Sequence, residues 1–257
     1  MNGQVQVSEV SKNKKNRRRT HMKNKIIAII PTRGGSKGLP RKNIKHLLGK
    51  PLVAWTIEQA TQSRYIDKVV VSTEDREIVE ISKKHGAEVP FLRPKELARD
   101  DSPTIDAIMH AINWFEERGE YFDIIVLLEP TSPLRKEDDL DNAIKLFIEN
   151  FDKADSLVSV GEVHLENPYI MKRIENGYIK PFIEIDENIY QRQQLPKVYF
   201  PYGVIYLSKV DALKKYKTFY QERTIPYFIE RWQNYEIDDI YDFICVEAIL
   251  KHKLEET

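Results

Sequence analysis

The sequence contains very little cysteine and lacks long apolar runs. Cys245 is the only cysteine among 257 residues, which excludes an intrachain disulfide and a cysteine-based zinc cluster and fits a reducing, cytoplasmic setting. No apolar run approaches the roughly 20 residues that a membrane-spanning helix needs. We therefore expect a cytoplasmic protein without a membrane partner.

The sequence also lacks a net charge, but its charges are unevenly distributed. Residues 1–21 carry six Lys or Arg and one Glu, which leaves 34 basic and 39 acidic residues and a net charge of −5 for the remainder. A body of this charge gives no indication of nucleic-acid binding. We interpret 1–21 as a disordered basic head, and the pair His21–Met22 as the junction of an added leader with a native start at Met22. The alternative is a nucleic-acid-binding arm, although the head has no aromatic side chain for stacking.

Short apolar runs alternate with helical patterns over the first 150 residues. Because each run is apolar on both faces and is followed by a helix, the pattern predicts an α/β fold with a doubly wound, mostly parallel sheet. The predicted strands are 25–30, 69–72 and 124–128, and the predicted helices are 51–62, 75–85, 104–117 and 136–150.

The pattern changes after Phe151. We predict strands at 157–163 and 204–207 and a closing helix at 240–250, with Cys245 in the core. The stretch 164–200 is polar, rich in tyrosine and without helical period, and we interpret it as a small excursion that forms a dimer interface near the substrate. Residues 22–257 are thus predicted to form a single domain.

A glycine-rich, cationic loop follows the first predicted strand. The segment 31–43 reads PTRGGSKGLPRKN and carries four cations, Arg33, Lys37, Arg41 and Lys42, with no acidic residue among them. Ligands of open α/β sheets bind beyond the carboxyl ends of the strands, and adjacent glycines let backbone N–H groups point at an anion. The loop predicts a polyphosphate site, although neither a Walker A loop nor a G-x-G-x-x-G fingerprint is present. A solvated turn is the alternative.

Two other segments carry chemistry. In an extended chain Glu236 and Asp238 would share one face, and two carboxylates on one face suit Mg²⁺. The alternative is that Asp239 or Asp242 merely caps the last helix. The segment 127–135, LLEPTSPLR, follows another strand, where its polar groups would line a substrate pocket or simply form a turn before a helix.

Five segments, in this order, resemble the acylneuraminate cytidylyltransferases, or CMP-sialic acid synthetases. They are PTRGGSKGLPRKN, RPKELARDDSPT (93–104), LLEPTSPLR, QRQQLPKVYFPYGVIYL (191–207) and EIDD (236–239). The resemblance spans about residues 24–250. It implies a nucleotide-diphospho-sugar transferase-like fold, a homodimer, Mg²⁺ (with Mn²⁺ as a substitute), and transfer of CMP from CTP to a nine-carbon 2-keto sugar acid.

The resemblance also implies roles for individual residues. Arg33, Lys37 and Asp238 would be catalytic, and Asp238 and Glu236 would hold the metal. The sugar would be bound by Glu129, Arg192, Tyr202 and Tyr206. The residues implied for the nucleotide are Arg33, Gly34, Gly35, Ser36, Lys37, Lys42, Asn43, Arg93, Ser102 and Thr104.

Three positions depart from the family pattern. Glu129 stands where the family usually has Gln, Tyr202 where it has Asn, and Glu236 where it has Asp. Since the first two positions face the sugar in the family, these departures indicate an acceptor other than ordinary N-acetylneuraminic acid. The candidates are a sialic acid or a relative such as legionaminic or pseudaminic acid. A non-catalytic nucleotide-binding protein of the same fold is the remaining alternative.

Overall fold

The computed structural model describes residues 24–184 and 194–256, and a six-stranded sheet forms its centre. The strand order is β10-β6-β9-β5-β1-β4, and within it only β9 pairs in the antiparallel direction, with β5 and β6. The predicted mostly parallel sheet is confirmed. Its strands are β1 (Ile26–Pro31), β4 (Lys68–Ser72), β5 (Ile124–Leu127), β6 (Ser156–Glu162), β9 (Tyr199–Lys209) and β10 (Thr224–Phe228).

Helices cover both faces of this sheet. Alternate residues of β1 enter two different cores: Ile26, Ala28 and Ile30 pack in one and Ile27 and Ile29 in the other. Burial on both faces is the reason why β1 reads as a continuous apolar run. Helix α1 (Leu52–Gln62) follows β1, α2 (Arg76–Lys84) and α3 (Thr104–Glu116) follow β4, α4 (Asp139–Glu149) follows β5, and α5 (Val210–Tyr216) follows β9.

The closing helix α6 spans Ile240–Glu255. Phe243, Val246 and Leu250 recur at helical spacing and pack into a third core cluster. Cys245 lies on the opposite face and is exposed, so the prediction that it belongs to the core is wrong. In the described part of the chain no helix is long and apolar enough to cross a membrane.

Two small hairpins lie outside the central sheet. The first pairs β2 (His46–Leu47) with β3 (Lys50–Pro51), and the second pairs β7 (Lys172–Glu175) with β8 (Tyr178–Pro181). Asn176 and Gly177 form the turn of the second hairpin with φ values of 53° and 81°, as the type I′ turn requires. The hairpin lies in the predicted excursion and exposes large apolar side chains: Ile174, Tyr178 and Ile179 are 80%, 71% and 75% exposed.

Strand β10 was missed by the sequence analysis. Its sequence TIPYF contains Pro226. Proline has no N–H to donate to a neighbouring strand, so it argues against a strand that pairs on both sides. The strand is tolerated because it forms the edge of the sheet, where it pairs with β6 alone. Strand β9 begins at Tyr199, five residues before the predicted start, so the excursion ends two residues earlier than predicted.

Candidate active site

A cleft of about 310 Å³ opens at the carboxyl edge of the parallel strands. The loops that follow β1, β4 and β5 meet there, as expected for a ligand site in an open α/β sheet. The structure brings together residues that are far apart in sequence: Arg33, Gly35, Ser36, Lys42, Asn43, Arg93, Ser102, Thr104, Glu129 and Asp238 all line it. Eight of these were predicted for the nucleotide from the sequence.

Two cations of the glycine-rich loop are held by one carboxylate. Arg33 Nη1 lies 2.6 Å from Asp100 Oδ1, and Lys37 Nζ lies 2.8 Å from Asp100 Oδ2. The Lys37 ammonium, followed by the Arg33 guanidinium, holds the pKa of Asp100 below its usual range. Lys37 is 83% exposed and is not among the residues that line the cleft, whereas its partner Asp100 is. The pair is thus accessible to an anion that competes with Asp100.

A third cation joins the loop to the acidic segment. Lys42 Nζ donates to the carbonyl oxygen of Ile237 at 2.6 Å and to Asp238 Oδ1 at 3.3 Å. Ile237 is fully buried in the third core cluster. Because Ile237 faces the core, its two neighbours face the other way, and Asp238 reaches the cleft as the alternation predicts.

Two buried polar atoms of the cleft lack a protein partner among the described residues. Asn43 donates through Nδ2 to the carbonyl oxygen of Arg33 at 2.9 Å, but its Oδ1 accepts nothing, and Arg93 Nε donates to nothing. Both residues are more than 90% buried. A buried polar atom without a partner is costly, so both atoms indicate a ligand that offers a donor to Asn43 and an acceptor to Arg93.

Arg41 does not belong to the cleft, contrary to its inclusion among the phosphate-binding cations. Its guanidinium contacts Asp75 and donates to Glu77 at 2.5 Å, and its backbone adopts φ 56°. Asp75 also caps α2 by accepting from the backbone N–H groups of Glu77 and Ile78. Arg41 therefore ties the end of the loop to a helix start.

Gly34 and Ser102 also serve the protein's own structure. The Gly34 N–H donates to Glu74 Oε1 at 2.7 Å, and the Ser102 hydroxyl donates to the carbonyl oxygen of Glu96 at 2.7 Å. Glu74 was missed by the sequence analysis, although its position directly after a buried strand at the ligand edge was an available signal.

Carboxylates crowd the opposite wall of the cleft. Glu236 accepts from the Gly203 N–H and, at 3.1 Å, from the Ser132 hydroxyl. Burial and the nearby Glu236 charge raise the pKa of Glu129 to about 7. A Cβ on Gly203 would collide with Glu129 Oε2 and approach Glu236 Oε1, so any larger residue here would have to displace these carboxylates.

The buried guanidinium of Arg135 holds the backbone of this wall in place through hydrogen bonds. Arg135 donates to the carbonyl oxygens of Val204 and Glu129 at 2.6 and 3.0 Å and to Thr56 Oγ1 at 3.0 Å. Burial lowers its pKa to about 10. Arg135 thus fixes the backbone of the segment 129–135 against β9. In the sequence Arg135 stands out only as the last residue of the motif LLEPTSPLR, for which no role of this arginine was predicted.

The residues implied for the sugar do not all line the cleft: Glu129 does, whereas Tyr202 and Tyr206 do not. Tyr202 packs against Phe200 with ring centroids 4.9 Å apart. Tyr206 is buried in a core cluster against Phe219, so its ring lies beside the cleft instead of lining it. Burial raises the pKa of the Tyr206 hydroxyl. Arg192 lies outside the described residues.

The acidic segment both caps a helix and faces the cleft. Asp239 caps α6 with Asp242 as its reciprocal partner, which leaves Asp238, with a side chain 89% exposed, at the cleft mouth. Among the described residues no three His, Cys, Asp or Glu side chains converge as a metal site. The donor set nevertheless fits Mg²⁺, which needs one or two protein carboxylates when phosphate supplies the other ligands.

The cleft is lined by cations and lies at the carboxyl edge of a mostly parallel sheet covered by helices, which is where open α/β proteins bind their ligands. The family model described as cytidylyltransferase matches residues 27–256. The chain therefore belongs to the cytidylyltransferase family and is an enzyme of that type.

Curated relatives agree over most of the chain. It is 33% identical over 229 residues to the CMP-N,N'-diacetyllegionaminic acid synthase of Legionella pneumophila, covering 88% of this chain and 97% of the relative. It is 34% identical over 232 residues to the N-acylneuraminate cytidylyltransferase of Escherichia coli, covering 90% of this chain and 54% of the relative. The predicted family is confirmed.

A solved structure shows the same fold. A CMP:2-keto-3-deoxy-manno-octonic acid synthetase complexed with CTP superposes with a TM-score of 0.67 at 17% identity, covering 89% of this chain and 99% of that one.

Proposed function

We propose that this protein transfers CMP from CTP to the anomeric hydroxyl of a nine-carbon 2-keto sugar acid and releases pyrophosphate. The observation that carries the proposal is the cationic cleft with two unpartnered buried atoms, Asn43 Oδ1 and Arg93 Nε. A ribose hydroxyl would donate to the first, and a carbonyl oxygen of the base would accept from the second. The reducing setting indicated by a single cysteine supports a cytoplasmic location.

The chemistry requires positioning and charge neutralisation more than covalent help. The sugar hydroxyl attacks the α-phosphorus in line, and the bond from the α-phosphorus to the α–β bridging oxygen breaks. Pyrophosphate leaves with the electron pair of that bond, and the hydroxyl proton passes to solvent water. Arg33 and Lys37 would stabilise the charge that develops on the leaving pyrophosphate. Lys42 would hold the remaining phosphate oxygens, since its ammonium already lies between the loop and Asp238.

The metal would lie at the acidic segment. Asp238 and Glu236 would hold Mg²⁺ or Mn²⁺, which supplies neutralisation of phosphate charge and lowers the pKa of a bound hydroxyl. The closeness of Glu129 and Glu236, whose carboxylate oxygens approach the same side of Gly203, supports a cation here, because neighbouring carboxylates favour a positive charge beside them.

The acceptor is a nonulosonic acid, and Glu129, Tyr202 and Arg192 would face it. A sialic acid of the N-acylneuraminic type is our first candidate, with legionaminic and pseudaminic acids as alternatives. Pyrophosphate release should be measured with CTP, Mg²⁺ and each of the three sugars. Turnover with none of them, despite CTP binding, would leave a non-catalytic nucleotide-binding protein of this fold.

We also propose that the protein is a homodimer. The hairpin of β7 and β8 exposes Ile174, Tyr178 and Ile179, and exposed apolar patches of this kind are typical of interaction sites. Sedimentation velocity should give twice the monomer mass, and Ile179→Lys should shift the protein toward monomer. A wild-type protein that sediments as a monomer at micromolar concentration contradicts this proposal.

A further inference from the structure

One carboxylate joins the two nucleotide-facing elements of the cleft. Glu74 follows β4, and its Oε1 accepts from the Gly34 N–H at 2.7 Å. Its Oε2 accepts from Arg93 Nη2 at 2.8 Å. The loop after β1 and the segment before α3 are therefore connected through a single side chain.

The connection is largely shielded from water. The side chains of Arg93 and Glu74 are 5% and 17% exposed. Charge-assisted hydrogen bonds in such places are short and directional, and removing the carboxylate would leave the guanidinium charge unpaired. Glu74 occupies Nη2 and so fixes the plane in which Arg93 presents its unpartnered Nε.

The loop is packed closely on the same turn. A Cβ on Gly34 would come within 2.4 Å of Asp75 Oδ2, so the loop backbone approaches as near as glycine permits. The far end of the loop is held by Arg41 on Asp75. The turn that carries Glu74 and Asp75 thus sets where the phosphate loop lies relative to Arg93.

We propose that Glu74 is a positioning residue for the nucleotide: it holds the base-side Arg93 and the phosphate loop at the separation that a nucleoside triphosphate spans. It acts through Arg93 on one side and through the Gly34 N–H on the other, without contacting the reacting atoms. The proposal rests on the proposed binding of CTP in this cleft.

Glu74→Gln keeps the shape of the side chain and removes its charge. We expect the dissociation constant of CTP, measured by calorimetry, to rise about tenfold or more, since a hydrogen bond to a charged group is lost or weakened at both ends. The KM for the sugar acid should change less than about twofold. Glu88→Gln is the matched control, because Glu88 pairs with Lys68 at the opposite end of β4 and should leave both constants unchanged.

Ligand fragments separate positioning from a merely structural role. Glu74→Gln should weaken binding of CMP and of pyrophosphate alike. In an Arg93→Gln background its effect on CMP should disappear, because the partner is already gone, whereas its effect on pyrophosphate, which acts through Gly34, should persist. Glu74→Asp provides a second variant if Glu74→Gln does not fold.

The outcomes distinguish this proposal from the function on which it rests. If wild-type protein binds CTP and Glu74→Gln binds it equally well, Glu74 is not a positioning residue and the proposed function stands. Loss of CMP binding that adds fully to that of Arg93→Gln also overturns the proposal. Wild-type protein that binds no CTP overturns both.

Discussion

The two walls of the cleft carry opposite charge, and they differ in how their charged side chains are paired. On the nucleotide wall three cations pair with carboxylates of the protein: Asp100 contacts Arg33 and Lys37, and Glu74 contacts Arg93. On the facing wall Glu129 and Glu236 crowd together.

Two effects disfavour the charged form of Glu129 on that wall. Burial and the Glu236 charge raise the pKa of Glu129 to about 7, and Arg135 opposes this only in part. Three nucleotide-facing cations thus have carboxylate partners within the protein, whereas on the acidic wall burial and repulsion both disfavour the charged form of Glu129.

The largest expected effect comes from the acidic wall. Asp238→Asn keeps the shape and removes the charge that a hard dication requires, so we expect turnover to fall about 10³-fold. Asp239→Asn is the matched control one residue away, since Asn caps a helix as well as Asp does. Pyrophosphate release against Mg²⁺ concentration measures both, and an active Asp238→Asn protein with unchanged Mg²⁺ dependence contradicts the metal assignment.

On the nucleotide wall we expect Lys37→Ala to lower turnover about 10²-fold. The charge should matter most as negative charge moves onto pyrophosphate, which is a transition-state effect. Because Lys37 is 83% exposed, thermal melting should stay close to wild type. Near-normal kcat would remove Lys37 from the mechanism.

The cost of charging Glu129 in the folded protein should appear as a pH dependence of the free energy of unfolding. The pKa of Glu129 is raised in the folded state, so the folded protein holds this proton more tightly than the unfolded chain. Stability from this group is therefore lost as pH rises from about 4.5 to about 7. Glu129→Gln cannot ionise and should be more stable than wild type by about 1–3 kcal/mol at pH 8 and unchanged below pH 4.5.

Urea unfolding at pH 4 and pH 8, without divalent cations, measures this difference. The exposed Glu88→Gln serves again as control and should show no such pH-dependent gain. If Glu129→Gln and wild type have the same free energy of unfolding at pH 8, charging Glu129 costs the folded protein no stability.

The smallest effect tests whether Asp100 competes with the nucleotide. Asp100→Asn frees Arg33 and Lys37 from a carboxylate, and we expect the KM for CTP to fall about threefold, because exposed ion pairs are weak. Initial rates at low ionic strength give the KM. A higher KM would instead mean that Asp100 orients the two cations in the complex.

The sequence analysis predicted most of the central fold because its signals are local. The runs IIAII and IIVL are buried on both faces, and such runs mark parallel strands under helices. The hairpin of β7 and β8 also had a local signal, the Asn176–Gly177 turn, which the analysis overlooked. The edge strand β10 gave a weak signal because Pro226 argues against a strand unless its edge position is known.

What the sequence by itself determined is the order of the motifs, and through it the family, the reaction class and eight of the cleft-lining residues. Side-chain direction was decided only by tertiary structure. Arg41 turned to the start of α2, Tyr206 entered the core, and Cys245 fell on the exposed face of α6. Each outcome depends on partners distant in sequence, and composition and spacing carry no information about which distant partner a long or amphipathic side chain will meet.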